Sequence, residues 1–86
     1  MNINELIAIV KNKLEKEIII QDLKIEDKSF LHKNHKGHQE GKFHLKITIS
    51  SDELAKTSKI VSTKKIYSVL DFELREYIHS IQILLN

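Results

Sequence analysis

No cysteine occurs anywhere in the 86-residue chain. The chain alone therefore cannot build a Cys-ligated zinc or iron–sulfur site, and it has no thiolate nucleophile. The N-terminus, "MNINELIAIVKNK", lacks a basic region followed by a small-residue cleavage site and does not read as a secretory signal. Together these two absences favour a reducing cytoplasm. No run of about 18 apolar residues is present, so no membrane span is expected. There is no proline, and no internal repeat or low-complexity linker divides the chain. The only two glycines, Gly37 and Gly41, leave no glycine-rich phosphate loop. No G-x-S-x-G motif surrounds any serine, so nucleophilic hydrolysis on that plan is excluded and an enzyme is not expected.

What remains is a chain of ordinary globular composition, 41% hydrophobic and 30% charged. Its length suits one small domain over residues 1–86, with a thin core. The 14 basic and 12 acidic residues are interspersed and leave a formal net charge of only +2, which is weak support for a nucleic-acid partner. Positive charge is densest between Lys33 and Lys42 and again at Lys64 and Lys65.

Hydrophobic periodicity predicts an αββαβ order. Ile3, Leu6, Ile7, Val10 and Leu14 make one stripe of a helix from Asn2 to about Lys16, with Asn2 and Glu5 spaced as a loose capping box. A first strand is expected near Ile18 to Asp27. In "KFHLKITIS", Phe43, Leu45, Ile47 and Ile49 alternate with His44, Lys46, Thr48 and Ser50, the pattern of a strand with one buried face. Ser51 or Asp52 caps a short helical turn. A longer helix is expected from about Ser58 to Tyr77, its apolar stripe including Ile60, Ile66, Tyr67, Leu70 and Leu74. "HSIQILL" closes the chain as a strand alternating through Ile81, Ile83 and Leu85. The fold class is α+β, with helices on one face of a three-stranded mixed sheet.

Four of the five histidines lie between His32 and His44, in the expected connection between the first two strands. His32, His35 and His38 recur every third residue, a spacing from which imidazoles can gather on one metal ion. The neighbouring lysines oppose a dication and suit an anionic partner, and a solvated loop would carry the same composition. His79 stands alone where the long helix meets the last strand. It reads either as a functional residue or as a cation at a helix C-terminus. Asp71, Glu73 and Glu76 read as a solvated helix face. Lys59, Lys64, Lys65 and Arg75 read as a basic helix surface, solvated or in contact with nucleic acid or a protein partner.

The segments "EDKSFLHKNH", "FHLKITIS", "SDELAKTSKIVSTKKIYSVLDFEL" and "IHSIQI", taken in order, resemble the BolA family over nearly the whole chain. The last matches an I/V-H-A-hydrophobic signature, with Ser80 where alanine is usual. The resemblance implies a type II KH-like αββαβ domain. It also implies a partner, a monothiol glutaredoxin, with which such chains share a [2Fe-2S] cluster. In that arrangement the glutaredoxin cysteine and glutathione supply thiolates and the BolA-like chain supplies histidine. Carried over residue by residue, His79 matches the C-terminal family histidine and ranks first. His32 and then His35 match loop histidines, although Asn34 replaces a glycine of the H-x-G-H pattern. His44 matches a histidine of a [ST]-H-F pattern and ranks last.

The chain departs from the family pattern at Leu54 for Phe, Lys56 for Gly, and Ser62-Thr63-Lys64 for Arg-His-Arg, while Tyr67 is kept. No KH-type G-x-x-G loop is present. The leading expectation is an iron–sulfur trafficking adaptor, with no cluster held by the isolated chain. The alternative is a nucleic-acid-binding transcriptional regulator acting through Lys59, Lys64 and Lys65, which the loss of Arg-His-Arg weakens. A third reading is a metal-buffering protein using His32, His35 and His38. A homodimer is a further candidate assembly.

Overall fold

The computed structural model describes residues 1–29 and 42–86. The chain begins with α1 (Ile3–Glu17). The Asn2 side chain accepts from the Glu5 backbone N–H at 2.8 Å and donates to the Glu5 carboxylate at 2.8 Å. The cap is thus reciprocal, with the glutamate returning to the Asn2 side chain. Leu6, Val10 and Leu14 form the buried stripe that the spacing predicts.

The first strand, β1, covers Asp22–Asp27 and starts later than the sequence suggests. Ile18 still belongs to the helix end, since its N–H donates to Leu14 O at 2.9 Å. It is buried as a core residue, whereas Ile19 is 70% exposed. The second strand, β2 (Phe43–Ser50), ends opposite Asp22, so Ile18–Ile20 have no strand residue to pair with. β-branched character alone does not make a strand where no partner lies alongside.

β2 is the centre of a three-stranded sheet of order β1-β2-β3, with β3 covering Ile78–Leu85. It pairs antiparallel with β1 and parallel with β3, giving the expected mixed sheet. Leu45, Ile47 and Ile49 are buried against Leu6, Val10, Leu14, Ile66 and Leu70, so the helices cover one face. Among the described residues, no helix is long and apolar enough to cross a membrane.

After β2, Ser51 caps the short helix α2 (Asp52–Ala55), as its sequence context predicts. Its hydroxyl accepts from Leu54 N at 3.2 Å and donates to Ile19 O at 2.7 Å. It thereby ties the start of α2 to the turn after α1. Ser51→Ala removes both bonds from a buried position and is expected to cost about 1–2 kcal/mol, measurable as a lower urea midpoint at unchanged m-value.

The single helix expected over Ser58–Tyr77 is two helices, α3 (Lys59–Val69) and α4 (Asp71–Glu76). The chain leaves helical geometry at Leu70, with φ −99° and ψ 15°. No glycine or proline marks the break. Packing places it, because Leu70 is fully buried and the redirected α4 carries Glu73 inward. Glu73 is not part of a solvated face. It is 3% exposed, and Lys13 Nζ of α1 lies 2.7 Å from one carboxylate oxygen and 3.0 Å from the other. The expected stripe of α3 also fails in part. Ile60 is 69% exposed and Tyr67 is also exposed, while Ser62 is buried. The Ser62 hydroxyl contacts Thr57 Oγ1 at 2.7 Å and donates to Leu54 O at 3.1 Å, which makes its burial tolerable.

Candidate functional site

The start of β3 answers a problem of parity. Ile78 and Ile81 are both core residues, yet they are three positions apart. In a regular strand, residues separated by an odd number point to opposite faces. One extra residue resolves this, and the ladder shows it. Phe43 pairs with Ile78, but the next residue, His44, pairs with Ser80. His79 is therefore the bulged residue. Bulges in parallel pairing are uncommon, and a bulge turns a side chain away from the direction that the ladder would give it. His79 is exposed. It does not cap a helix end, since Tyr77 is the C-cap of α4 and His79 lies within β3.

The bulge brings His79 beside His44. The two ring centroids are 4.9 Å apart, with the planes at 53°. His44 lies on the outward face of β2 as its alternation predicts, but it is only 6% exposed. Its Nδ1 is 2.6 Å from the Ser80 hydroxyl, so that nitrogen is engaged and Nε2 is the ring's other ligating atom. The backbone of His44 is held from the β1 side as well. Its N–H donates to Ser29 Oγ at 3.0 Å, and its carbonyl accepts from Lys28 N at 2.7 Å. Ser29 N–H in turn donates to Asp27 Oδ1 at 2.9 Å.

These bonds fix where the histidine-rich connection is rooted. The chain leaves the described residues after Ser29, which is bonded to His44. It re-enters at Lys42, whose ammonium donates to Arg75 O at 3.2 Å. Both ends lie next to His44. His32, His35 and His38 themselves lie outside the described residues.

The lysines of α3 do not converge on this site. Lys59 lines a groove with Ile49, Leu54 and Leu85, at the end of the sheet opposite His44 and His79. Lys65 pairs with Glu53 of α2 at 3.0 Å. That ammonium, helped by the N–H of Ile19, holds the Glu53 carboxyl below its ordinary value. Arg75 pairs with Asp71 at 3.0 Å, and Lys64 is exposed on α3.

Among the described residues, no group of three or more His, Asp or Glu side chains is placed to hold a metal ion. The His44–His79 pair is thus at most part of a ligand set. Its imidazole nitrogens are of the kind that ligate Zn, Cu, Fe or Ni. Sequence position ranks His44 last among the candidate histidines and gives Ser80 no role. Both lie on the outward face, but only the parallel register of β2 and β3 brings them together.

Comparison with known proteins agrees with this architecture. The BolA domain of SufE1 from Arabidopsis thaliana superposes with a TM-score of 0.77 at 30% identity, covering 92% of this chain and 87% of that one. BolA1 from Arabidopsis thaliana gives 0.76 at 26% identity, with the same coverage of 92% and 87%. BolA1 from Mus musculus, at 19% identity and a TM-score of 0.71, shares the fold over 90% of this chain and 60% of that one. A search of curated protein sequences finds no match. The family model described as BolA-like protein matches residues 14–86, from the end of α1 through β3. With that match over most of its length, the chain belongs to the BolA-like protein family.

Proposed function

We propose that this chain is a non-catalytic adaptor that pairs with a monothiol glutaredoxin and contributes histidine to a shared [2Fe-2S] cluster, in iron–sulfur trafficking or iron regulation. The observation that carries the proposal is the bulge, which presents His79 to solvent with His44 4.9 Å behind it. His79 is the accessible ligand. His44, mostly buried and engaged by Ser80, lies directly beside the ring of His79 and is the second candidate. His32 and His35 remain further candidates, on a connection rooted beside His44. Such a cluster needs thiolates from the partner and glutathione, because this chain has no cysteine. Imidazole ligation from this side would lower the cluster's negative charge and raise its potential. A cysteine-free chain also suits the reducing cytoplasm, where a partner's thiols stay available.

A nucleic-acid role through Lys59, Lys64 and Lys65 has less support. Lys65 is already paired, and α3 exposes Ile60, Val61 and Tyr67 among its lysines.

The test adds the chain to a [2Fe-2S]-loaded monothiol glutaredoxin with glutathione and follows visible circular dichroism. A new spectrum reaching a plateau near one-to-one is expected. His79→Ala should abolish it, and His44→Ala should weaken formation about ten-fold, the scale of losing a group that orients a ligand. An unchanged spectrum with excess wild-type chain, across cognate partners, would remove the mechanism.

A further inference from the structure

The face of the sheet away from the helices carries its charge in rows that the strand registers set. Lys28 extends the pairing of β1 by one residue, since its N–H donates to His44 O at 2.7 Å. Lys28, His44 and Ser80 therefore form one row, and Glu26, Lys46 and Gln82 form the next. Leu45 and Ile81, which alternate with these residues, face the core. An open groove of about 320 Å³ lies along the two rows, lined by Lys28, His44, Lys46, Ser80 and Gln82. It adjoins the candidate ligands, because His44 is in its wall and the ring of His79 is 4.9 Å from that of His44.

The groove has the chemistry of an anion site. Two ammonium groups and the Gln82 amide are its hydrogen-bond donors. Glu26 is the one carboxylate in the two rows, and Lys24 of the following row lies nearer to it, at 3.4 Å, than Lys28 does at 3.8 Å. Lys46 is half-buried and, among the described residues, forms no ion pair.

We infer, on the shared-cluster reading above, that this groove holds the glycine carboxylate of the glutathione whose thiolate completes the cluster. Charge selects that end of the tripeptide. The γ-glutamyl end bears an ammonium beside its carboxylate, which two lysines repel, whereas the glycine end bears a carboxylate alone. The reach is sufficient. Six bonds separate the thiolate sulfur from the glycine carboxyl carbon, about 7 Å when extended, which exceeds the 4.9 Å between the two histidine rings. Lys46 and Lys28 would thus hold the small thiol from this side while His79 meets the iron.

NMR of the free, isotope-labelled chain tests the groove without a cluster. S-methylglutathione, which has no thiolate to give a metal, should shift the amide signals of His44, Lys46 and Gln82 with an affinity on the order of millimolar. Its glycinamide analogue, uncharged at that end, should bind about ten-fold more weakly, the loss of one charge-assisted hydrogen bond, and so should S-methylglutathione with the Lys46→Met chain. The second arm repeats the visible circular dichroism titration with glutaredoxin loaded in glutathione or in glutathione glycinamide. Lys46→Met should weaken association about ten-fold with glutathione and leave it unchanged with the glycinamide. Lys24→Met, one row further away, should leave both unchanged. Both side chains point away from the core, and far-ultraviolet circular dichroism verifies that the variants fold. Amide signals that S-methylglutathione does not move, or that the glycinamide moves equally well, overturn the inference. A Lys46→Met loss that is as large with the glycinamide overturns it too, since the lysine then meets the partner protein itself. A wild-type chain that binds S-methylglutathione as expected but forms no cluster spectrum removes the shared-cluster reading and leaves the groove as a site for the thiol's carboxylate.

Discussion

Ile47→Ala is expected to bring this domain close to its unfolding threshold. Ile47 is fully buried at the centre of β2, paired with Ile25 of β1 and Ile83 of β3 and covered by the helices. Truncation removes methyl groups from a site held on three sides, so the cavity can relax only partly. The loss should be about 3–5 kcal/mol. A chain of this length has a total stability of roughly 4–13 kcal/mol, so that loss is a large share. The midpoint of thermal unfolding should fall by about 12–40 °C, at roughly 4–8 °C per kcal/mol for a domain of this size. Ile19→Ala is the matched control. Ile19 is a neighbour in chemistry but 70% exposed, and its truncation should stay within about 0.5 kcal/mol of wild type. Similar losses for both would contradict the core described above.

The second large effect concerns Lys13 and Glu73. Lys13→Met should destabilise the protein by about 2 kcal/mol, because it leaves the Glu73 carboxylate at 3% exposure without its ammonium partner. Breaking a fully buried pair costs about 3–5 kcal/mol, and the cost is smaller here because the Lys13 side chain is 42% exposed and partly solvated. The ammonium also lies 5.8 Å from the centre of the Phe72 ring, a smaller contribution lost with it. Combining Lys13→Met with Glu73→Leu removes both charges and should recover most of the loss, leaving the double variant within about 1 kcal/mol of wild type. Urea unfolding of the two single variants and the double one measures the coupling. If the double variant were as unstable as the sum of the singles, the pair would not be what joins α1 to α4.

Local rules account for much of the fold. The alternation in "KFHLKITIS" is period two, and it put Leu45, Ile47 and Ile49 inside and Lys46 and Thr48 outside. Asn2, Ser51 and Ser58 each cap a helix through their own side-chain oxygen, a property of sequence neighbours. The expected Ser58–Tyr77 helix fails for the opposite reason. Its break lies at the fully buried Leu70, and the inward turn of Glu73 is matched by Lys13, sixty residues before that glutamate in the chain. Ser62 shows the same limit. A serine inside and Ile60 and Val61 outside reverse the usual preference, and only the contacts to Thr57 and Leu54 make the arrangement stable.

The candidate site divides in the same way. Sequence by itself determined that the chain has no thiolate to offer, singled out His79 as the first candidate, and gave the αββαβ order and the likeness to the BolA family. The missing thiolate follows from residue identity and the element order from periodicity, both local, while the family and the place of His79 follow from the resemblance of segments taken in order. Tertiary structure alone decided that His44 is the described histidine beside His79 and that Ser80 holds its Nδ1. Both depend on the parallel register of β2 against β3 and on one extra residue at its start. Register is set by how two strands distant in sequence bury Ile78, Ile81, Ile83 and Leu85 against one core. No short segment carries that information.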